Sequence, residues 1–174
     1  MEGTGRDPGS CLTPSGQADD APPPLASIRL GTRDDIDAVF ALNWASFPEA
    51  WSHESLSQVL SQGYELRVWN TADGRLCAYT LTRDTLDEVH ILQLAVAPPF
   101  QRQGLARRLT QYLLEEKQRT GLRLAYLEVR LSNKPAQALY KALGFIVAGS
   151  RRHYYTPLPG SHEREDALLM TRTL

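Results

Sequence analysis

The stretch of sequence that decides the fold is LAVAPPFQRQGLARRL, from Leu94 to Leu109. It opens with apolar residues that end a predicted strand, and the proline pair Pro98-Pro99 then breaks that strand. A turn that contains Gly104 follows, and the apolar residues after it recur at helical spacing. The stretch therefore predicts a strand, a glycine-containing turn and a helix in direct succession, as in a mixed α/β sheet.

The turn between this strand and this helix is suited to binding phosphate. Amides at a helix N-terminus carry partial positive charge and have no partner within the helix, which favours a pyrophosphate there. Gly104 and Ala106 keep bulky side chains away from such a ligand, while Arg102, Arg107 and Arg108 add positive charge. Taken alone, one Gly-x-Ala turn is equally typical of an ordinary helix start after a strand.

Two other phosphate motifs do not occur in the sequence. No Gly-x-Gly-x-x-Gly follows the first predicted strand, and no Gly-Lys-Ser/Thr is present. A nucleotide hydrolase and a dehydrogenase are therefore disfavoured.

The rest of the chain alternates between strand and helix patterns. Helices are predicted after the capping residues Thr32 and Ser52 and before Gly121 and Gly144. The predicted order is strand, two helices, three strands, helix, strand, helix, two strands. This order indicates an α/β fold of mixed, α+β-like character, with a central twisted sheet of about six to seven strands and helices on both faces. The strands are predicted at Ile28–Leu30, Tyr64–Asn70, Leu76–Arg83, Glu88–Val96, Leu124–Leu131, Phe145–Tyr155 and Ala167–Thr173.

Composition indicates one domain with a polar N-terminal extension. Met1–Pro24 is rich in Gly, Pro, Ser and Asp, and buries too little apolar surface to offset its ordering entropy. We therefore assign residues 1–25 to a disordered tail and residues 26–174 to the domain. With a formal net charge of −1, neither nucleic acid nor an anionic membrane is expected as a partner, and the oligomeric state stays open.

The remaining composition indicates a metal-free protein of a reducing compartment. Cys11 and Cys77 are too few for a disulfide framework, and the four histidines have no metal-ligand spacing. No leader or membrane-spanning pattern is present in the sequence, so we expect a cytoplasmic protein.

Downstream of the turn, a second motif completes a recognisable pattern. The chain combines Gln101-x-x-Gly104-x-Ala106 with Asn133-x-x-Ala136-x-x-x-Tyr140-x-x-x-Gly144-Phe145. This combination resembles the GNAT superfamily of acetyltransferases from Ser27 to Leu174, although Ala106 stands where a second glycine is common. The resemblance implies the GNAT fold and acetyl-coenzyme A as co-substrate without a metal. The residues it implies for coenzyme binding are Leu94, Ala95, Val96, Gln101, Arg102, Gln103, Gly104, Leu105, Ala106, Arg107, Asn133 and Tyr140.

The resemblance also implies catalytic roles for Glu128 and Tyr140. Glu128 would be the general base for the substrate ammonium, directly or through water, whereas an exposed or Arg130-paired acid is the ordinary interpretation of a strand glutamate. We expect desolvation to raise the pKa of Glu128. Tyr140 would be the general acid for the coenzyme A thiolate, although the same position suits a core aromatic residue, and Asn133 would cap its helix as well as contact the coenzyme.

The family also implies an opening in the sheet at the end of the strand that precedes the turn. A bulge at Leu94-Ala95-Val96 would separate this strand from its parallel neighbour near Glu128. The Val96 amide would then hydrogen-bond the thioester carbonyl and stabilise its oxyanion, an effect of about 3 kcal/mol in other acyl-transfer sites.

A narrower resemblance concerns the acceptor. Phe47-Pro48, Trp51-Ser52, Leu127–Arg130, Arg151–Tyr155 and Glu165–Met170 resemble the RimI type, which acetylates the N-terminal alanine of a small-subunit ribosomal protein in a ternary complex. The candidate acceptor residues, which are equally consistent with a small apolar cluster, are Phe47, Pro48, Trp51, Tyr154 and Tyr155.

Several alternatives stay open at this level. Glu49-Ala50 lengthens the acceptor-side loop, so other protein N-termini, lysines or a small amine such as a polyamine or aminoglycoside are alternative acceptors. A coenzyme-binding sensor without turnover would lack Glu128 or Tyr140, and both are present. The acidic residues Glu163, Glu165 and Asp166 either attract a basic peptide or are solvated loop charges.

Overall fold

The computed structural model describes residues 25–174, so the predicted disordered tail up to Pro24 lies outside the described residues. Its elements follow the predicted order of strands and helices. They are β1 (Leu25–Leu30), α1 (Ile36–Ser46), α2 (His53–Val59), β2 (Tyr64–Thr71), β3 (Leu76–Thr85), β4 (Glu88–Val96), α3 (Leu105–Arg119), β5 (Leu124–Arg130), α4 (Lys134–Ala142), β6 (Ile146–Tyr155) and β7 (Glu165–Thr173). β1 begins one residue before the predicted domain boundary. Within residues 25–174, no helix is both long and apolar enough to cross a membrane.

Short-range signals set the starts of the first two helices. The Thr32 amide donates to Asp35 Oδ2 at 2.8 Å, and a single 3-10 turn then leads into α1. Ser52 Oγ accepts from the Ser55 amide at 3.1 Å at the start of α2. Each side chain satisfies or fixes a backbone amide that has no partner within the helix. Ser52 caps α2 as predicted, whereas Thr32 caps the 3-10 turn and Asp35 stands at the N-cap of α1 itself.

Seven strands form one mixed sheet in the order β1-β2-β3-β4-β5-β7-β6. Every neighbouring pair is antiparallel except β4 and β5, which run parallel. α3 makes the crossover that two parallel neighbours require. The predicted mixed α/β sheet is therefore confirmed.

Helices cover both faces of this sheet. α1 and α2 pack on apolar residues of β2 and β3 such as Val68 and Leu81. α3 and α4 pack on the other face, where Leu113 and Tyr140 contact a cluster that includes Leu127 of β5. Apolar burial on both faces holds the central strands in place.

β4 contains a bulge that opens the sheet. Leu81 pairs with Gln93 and Thr82 pairs with Ile91, so Leu92 is an extra residue in β4. The extra residue reverses the alternation of side chains: Ile91 packs with α3 and α4, whereas Gln93 accepts a hydrogen bond from Asn43 of α1. The predicted bulge is present, but it lies before Leu94–Val96 rather than within it.

Beyond the bulge, β4 and β5 separate. Their parallel pairing runs from Glu88 opposite Leu124 to Ile91 opposite Leu127 and ends there. β5 continues to Arg130 by pairing with β7 alone. The carboxyl ends of two central strands are thus held apart, which leaves a gap in the middle of the sheet.

Candidate active site

The gap between β4 and β5 opens into a cavity of about 500 Å³. Its wall combines the two strand ends with the loop between α1 and α2, the first residues of α4 and the end of β6. Nine of the residues singled out in the sequence line it. They are Phe47, Pro48, Trp51, Leu94, Glu128, Asn133, Tyr140, Tyr154 and Tyr155.

The cavity runs through the sheet from one face to the other. Leu127, Val129 and Tyr140 belong to the apolar cluster on the α3/α4 face. Glu128 lies between two of these residues in β5, so its side chain points to the opposite face. Because Glu128 and Tyr140 line the same cavity, the two predicted catalytic groups approach it from opposite faces of the sheet.

Glu128 is a buried carboxylate held by two cationic or polar partners. Its side chain is 6% exposed, His90 Nε2 lies 2.6 Å from Oε2, and Arg151 Nη1 lies 3.3 Å from Oε1. The hydrogen bond from His90 lowers the pKa of Glu128, which outweighs the opposing effect of burial, and the positive charge of Arg151, with that of His90 when its ring is protonated, acts in the same direction. The predicted rise in the pKa of Glu128 is therefore wrong.

Arg130 is not the partner of Glu128. Its guanidinium lies 3.1 Å from Glu49 Oε2 and 2.9 Å from Glu165 Oε2, and it also donates to the Thr156 carbonyl at 3.2 Å. These bonds join the α1–α2 loop to β5 and to the loop between β6 and β7. One wall on the acceptor side of the cavity is thus held by an ion-pair network rather than by apolar packing alone.

Tyr140 combines a core position with access to the cavity. Its ring meets Phe145 edge-on, with centroids 5.7 Å apart, and burial raises the pKa of Tyr140 to about 12. A phenol with this pKa stays protonated at neutral pH and can donate a proton. Asn133 caps the same helix, because its Oδ1 accepts from the Ala136 amide at 3.1 Å, as predicted.

The backbone of β4 presents an amide to the gap. The Ala97 amide donates to the Cys77 carbonyl of β3 at 2.8 Å. Successive amides of a strand point to opposite sides, so the Val96 amide points away from β3, toward the side from which β5 has separated. Gln101 Nε2 donates to the Val96 carbonyl on this same side at 2.9 Å.

The predicted phosphate turn follows directly from this strand end. Gly104 has a φ of 81°, the left-handed conformation that glycine adopts without strain. The Arg108 amide donates to the Gly104 carbonyl at 3.0 Å, as the first helical hydrogen bond of α3. The amides between Gly104 and Arg108 therefore have no partner within the helix. Arg108 itself lies over the Trp69 ring, 4.9 Å from its centroid, and points to the sheet.

The other predicted coenzyme residues do not line the cavity, and the turn that contains Gly104 is connected to it by the end of β4. The predicted coenzyme residues in this group are Ala95, Val96, Gln101, Arg102, Gln103, Gly104, Leu105, Ala106 and Arg107. A Cβ atom added at Gly104 would meet no atom within 4 Å. The outer face of the turn is therefore open to a ligand.

Aromatic residues shape the acceptor side. Trp51 meets Tyr64 edge-on at 5.6 Å, Tyr154 meets Tyr155 at 5.0 Å, and the Arg130 guanidinium lies 4.4 Å from the Tyr155 ring centroid. The predicted acceptor residues therefore meet at one opening, with their rings held by neighbours.

The acidic residues of the β6–β7 region have structural partners. Besides its ion pair with Arg130, Glu165 accepts from the Ser132 amide at 2.6 Å. Asp166 accepts from the His153 amide at 2.8 Å. These bonds favour a structural role over attraction of a basic peptide for both residues.

The sequence interpretation missed three residues at the site: His90, Arg151 and Gln93. His90 has no metal-ligand spacing and belongs to no motif, yet it lies on the Glu128 side of β4 and stacks on Tyr126 with ring centroids 4.2 Å apart. The parallel register that pairs His90 with Tyr126 places Glu128 diagonally opposite it. Only this parallel register of β4 and β5 identifies His90 as a neighbour of Glu128.

The chain is similar to known acetyltransferases. The model of the acetyltransferase (GNAT) family matches residues 36–145. The [ribosomal protein bS18]-alanine N-acetyltransferase of Escherichia coli strain K12 is 37% identical over 136 residues, which cover 78% of this chain and 89% of that protein. A putative enzyme of the same name from Bacillus subtilis strain 168 is 33% identical over 150 residues, covering 86% of this chain and 96% of that protein.

Solved structures show the same architecture. The crystal structure of the ribosomal-protein-S18-alanine N-acetyltransferase from Escherichia coli superposes with a TM-score of 0.77 at 33% identity, covering 84% of this chain and 92% of that one. A spermidine N-acetyltransferase from Vibrio cholerae, in complex with CoA and spermine, gives a TM-score of 0.71 at 21% identity, covering 86% and 95%. At that identity the second likeness concerns the fold alone.

Proposed function

This chain belongs to the GNAT family of acetyltransferases, and on that premise we propose that it acetylates the N-terminal alanine of a small-subunit ribosomal protein. It is an acetyl-coenzyme A-dependent N-acetyltransferase. The observation that carries the finer proposal is the cavity through the sheet, with Glu128 on one side and Tyr140 on the other. Relatives that are 36% and 37% identical to this chain over the aligned residues are named for this alanine acetylation.

The coenzyme fits the α3 side of the gap. Acetyl-coenzyme A supplies an acetyl group activated as a thioester. The amides that follow Gly104 are suited to hold its pyrophosphate, and their outer face is open. The Val96 amide, which faces the gap, is placed to donate to the thioester carbonyl oxygen and to stabilise the charge that develops there.

Glu128 and Tyr140 divide the proton transfers. Glu128 supplies the carboxylate of the general base. The ammonium of the acceptor loses a proton to this base, directly or through water. The electron pair left on the amine nitrogen then attacks the thioester carbonyl. Tyr140 protonates the departing thiolate sulfur. Holding amine and thioester together in the gap supplies much of the remaining acceleration.

Direct attack needs no covalent acyl-enzyme. Among the described residues that line the cavity, no serine or cysteine is hydrogen-bonded to a histidine. The only histidine in that wall, His90, bonds to Glu128 instead. A ternary complex of coenzyme, enzyme and acceptor is therefore the proposed course.

The acceptor enters between the α1–α2 loop and the end of β6. Phe47, Trp51 and Tyr154 border this opening, and the Arg130 network fixes its far side. An opening bordered by aromatic side chains suits an extended peptide N-terminus. We propose that the substrate is the N-terminal alanine of a ribosomal protein, as the names of the relatives indicate, and that the reaction takes place in the cytoplasm.

The test is a substrate panel read by mass spectrometry. The purified chain is incubated with acetyl-coenzyme A and with peptides that begin with alanine and copy small-subunit ribosomal N-termini. Peptides with a blocked N-terminus and an internal lysine, and polyamines, serve as comparison substrates. We expect the acetyl group on the α-amine of alanine. Acetylation of lysine or polyamine in preference to this amine would contradict the proposed acceptor.

A further inference from the structure

We propose that the general base is a Glu128–His90 pair in which the proton from the substrate comes to rest on the imidazole of His90. The inference deepens the proposed function, on which it rests, because it assigns where the proton of that reaction is held. Glu128 remains the carboxylate whose negative charge drives the deprotonation. His90 becomes a second catalytic residue of the same cavity.

The first support is geometric. His90 lines the cavity beside Glu128, and its Nε2 lies 2.6 Å from Glu128 Oε2. An ionised carboxylate can only accept, so Nε2 carries the hydrogen and donates it to Glu128. Nδ1 is then the ring nitrogen with a free electron pair, and it makes no hydrogen bond to any residue between 25 and 174.

The second support is that the ring is held in place while remaining accessible. Tyr126 stacks on it at an interplanar angle of 15°, and the His90 side chain is still 19% exposed. Glu128, by contrast, is 6% exposed and is bonded through both carboxylate oxygens. A proton on the ring can therefore leave to solvent more readily than one on the carboxyl group.

The third support is chemical. An unperturbed α-ammonium is a weaker acid than a carboxyl group by roughly a thousandfold or more, but weaker than an imidazolium by only about tenfold to thirtyfold. The bonds that stabilise ionised Glu128 further disfavour its protonated form as the product of the proton transfer. An imidazolium beside a carboxylate is the better matched product, as in other carboxylate–histidine pairs.

The proton balance is as follows. The N–H bond of the substrate ammonium breaks, an N–H bond forms at Nδ1 of His90, and the electron pair left on the amine attacks the thioester carbonyl. The Nε2–H bond of His90 stays intact and continues to donate to Glu128 Oε2. The pair therefore ends as an imidazolium facing a carboxylate, and Tyr140 supplies the separate proton for the thiolate.

Other charged or titratable groups lie near His90. Tyr126 stacks on the ring from β5, Arg151 of β6 contacts Glu128, Arg83 of β3 is the cross-strand neighbour, and Glu88 lies two residues away on β4. The substitutions proposed below leave all of these groups in place.

The experiment compares kcat, at saturating peptide and acetyl-coenzyme A, for the wild type, His90→Gln, Glu128→Gln and His53→Gln, from about pH 5 to about pH 9. Gln at position 90 retains an N–H donor for Glu128 but cannot take up a proton. His53→Gln is the matched control, since His53 pairs with the Asp37 carboxylate at 2.8 Å on exposed α2, outside the cavity wall.

We expect His90→Gln to lower kcat roughly 10²-fold, with an unchanged dissociation constant for acetyl-coenzyme A. Its rate should begin to fall at a lower pH than the wild-type rate, because a carboxylate alone protonates at lower pH than an imidazole. His53→Gln should retain the wild-type profile. An unchanged kcat, or a lower kcat with an unshifted acidic limb, would overturn the proposal.

A measurement on the wild-type protein does not depend on any variant folding. NMR spectra of the imidazole nitrogens, recorded where the ring is neutral, should show His90 as the Nε2–H tautomer, and the Nδ1–H tautomer would contradict the pair. Failure of the proposed function is recognised separately, because the wild type would then acetylate no alanine N-terminus in the substrate panel.

Discussion

Tyr140 combines a position in the core with the proposed role of general acid. Its ring belongs to the apolar cluster with Leu127 and Leu143, and the same burial raises the pKa of its phenol to about 12. Burial thus keeps the proton on the hydroxyl until a stronger base, such as a departing thiolate, arrives. The packing of α4 and the proposed acid role are consistent with each other.

Removing only the hydroxyl of Tyr140 tests this role. Tyr140→Phe retains the ring that packs on Phe145, so we expect a small change in stability, an unchanged coenzyme affinity and a kcat lower by roughly 10²-fold. Tyr112→Phe on partly exposed α3 makes the same chemical change away from the cavity and should have full activity. Steady-state kinetics with coenzyme titration decides, and a fully active Tyr140→Phe enzyme would remove the acid role.

Residue positions at the cavity were predictable only where a motif carried them. Glu128 and Tyr140 lie in strings that match a family pattern, and both line the cavity. The partners that set the protonation of Glu128 do not belong to such a string, because His90 is 38 residues away in sequence and Arg151 lies on β6. A pKa depends on these non-local contacts, so the sequence predicted the wrong direction for Glu128.

At the scale of elements, strands and helices were predictable because local chemistry sets them. Gly63, Gly121 and Gly144 adopt positive φ where helices end, and β4 has the predicted bounds Glu88–Val96. The bulge was harder to place. Its position depends on the register with β3, and the run Val89–Val96 carries no local feature that marks Leu92 as the extra residue.

The start of α3 offers a test of the phosphate turn. Gly104→Ala places a side chain at a φ of 81° and should cost about 1 kcal/mol of stability while shifting the first amides of the helix. If one phosphate–amide bond of about 1.4 kcal/mol is lost, the dissociation constant of acetyl-coenzyme A rises roughly tenfold. Calorimetric titration and thermal unfolding measure the two effects.

Gly121→Ala at the other end of α3 is the matched control. Its φ is 93°, and a Cβ there also meets no atom within 4 Å, so the backbone strain is similar. This variant should lose similar stability but bind acetyl-coenzyme A as the wild type does. If both variants bound acetyl-coenzyme A equally weakly, or both bound it as the wild type does, the proposed phosphate site at Gly104 would be contradicted.

At the scale of the whole molecule, two arrangements create the site. Pairing of β5 with β7 holds β5 in place while the bulge leads β4 away from it, so the sheet opens without losing its continuity. The bonds of Arg130 to Glu49 and Glu165 then join three separate segments into one wall of the acceptor side. Neither arrangement is local in sequence, which is why the cavity itself was not predictable in detail.

The most direct test of the account is a crystal structure with a bisubstrate ligand, coenzyme A joined through an acetyl bridge to the amine of an alanine-initiated peptide. We expect the diphosphate at the amides that follow Gly104, and the bridge in the gap between β4 and β5, with Glu128 on one side and Tyr140 on the other. A bridge that lies outside this gap, distant from both side chains, would contradict the account.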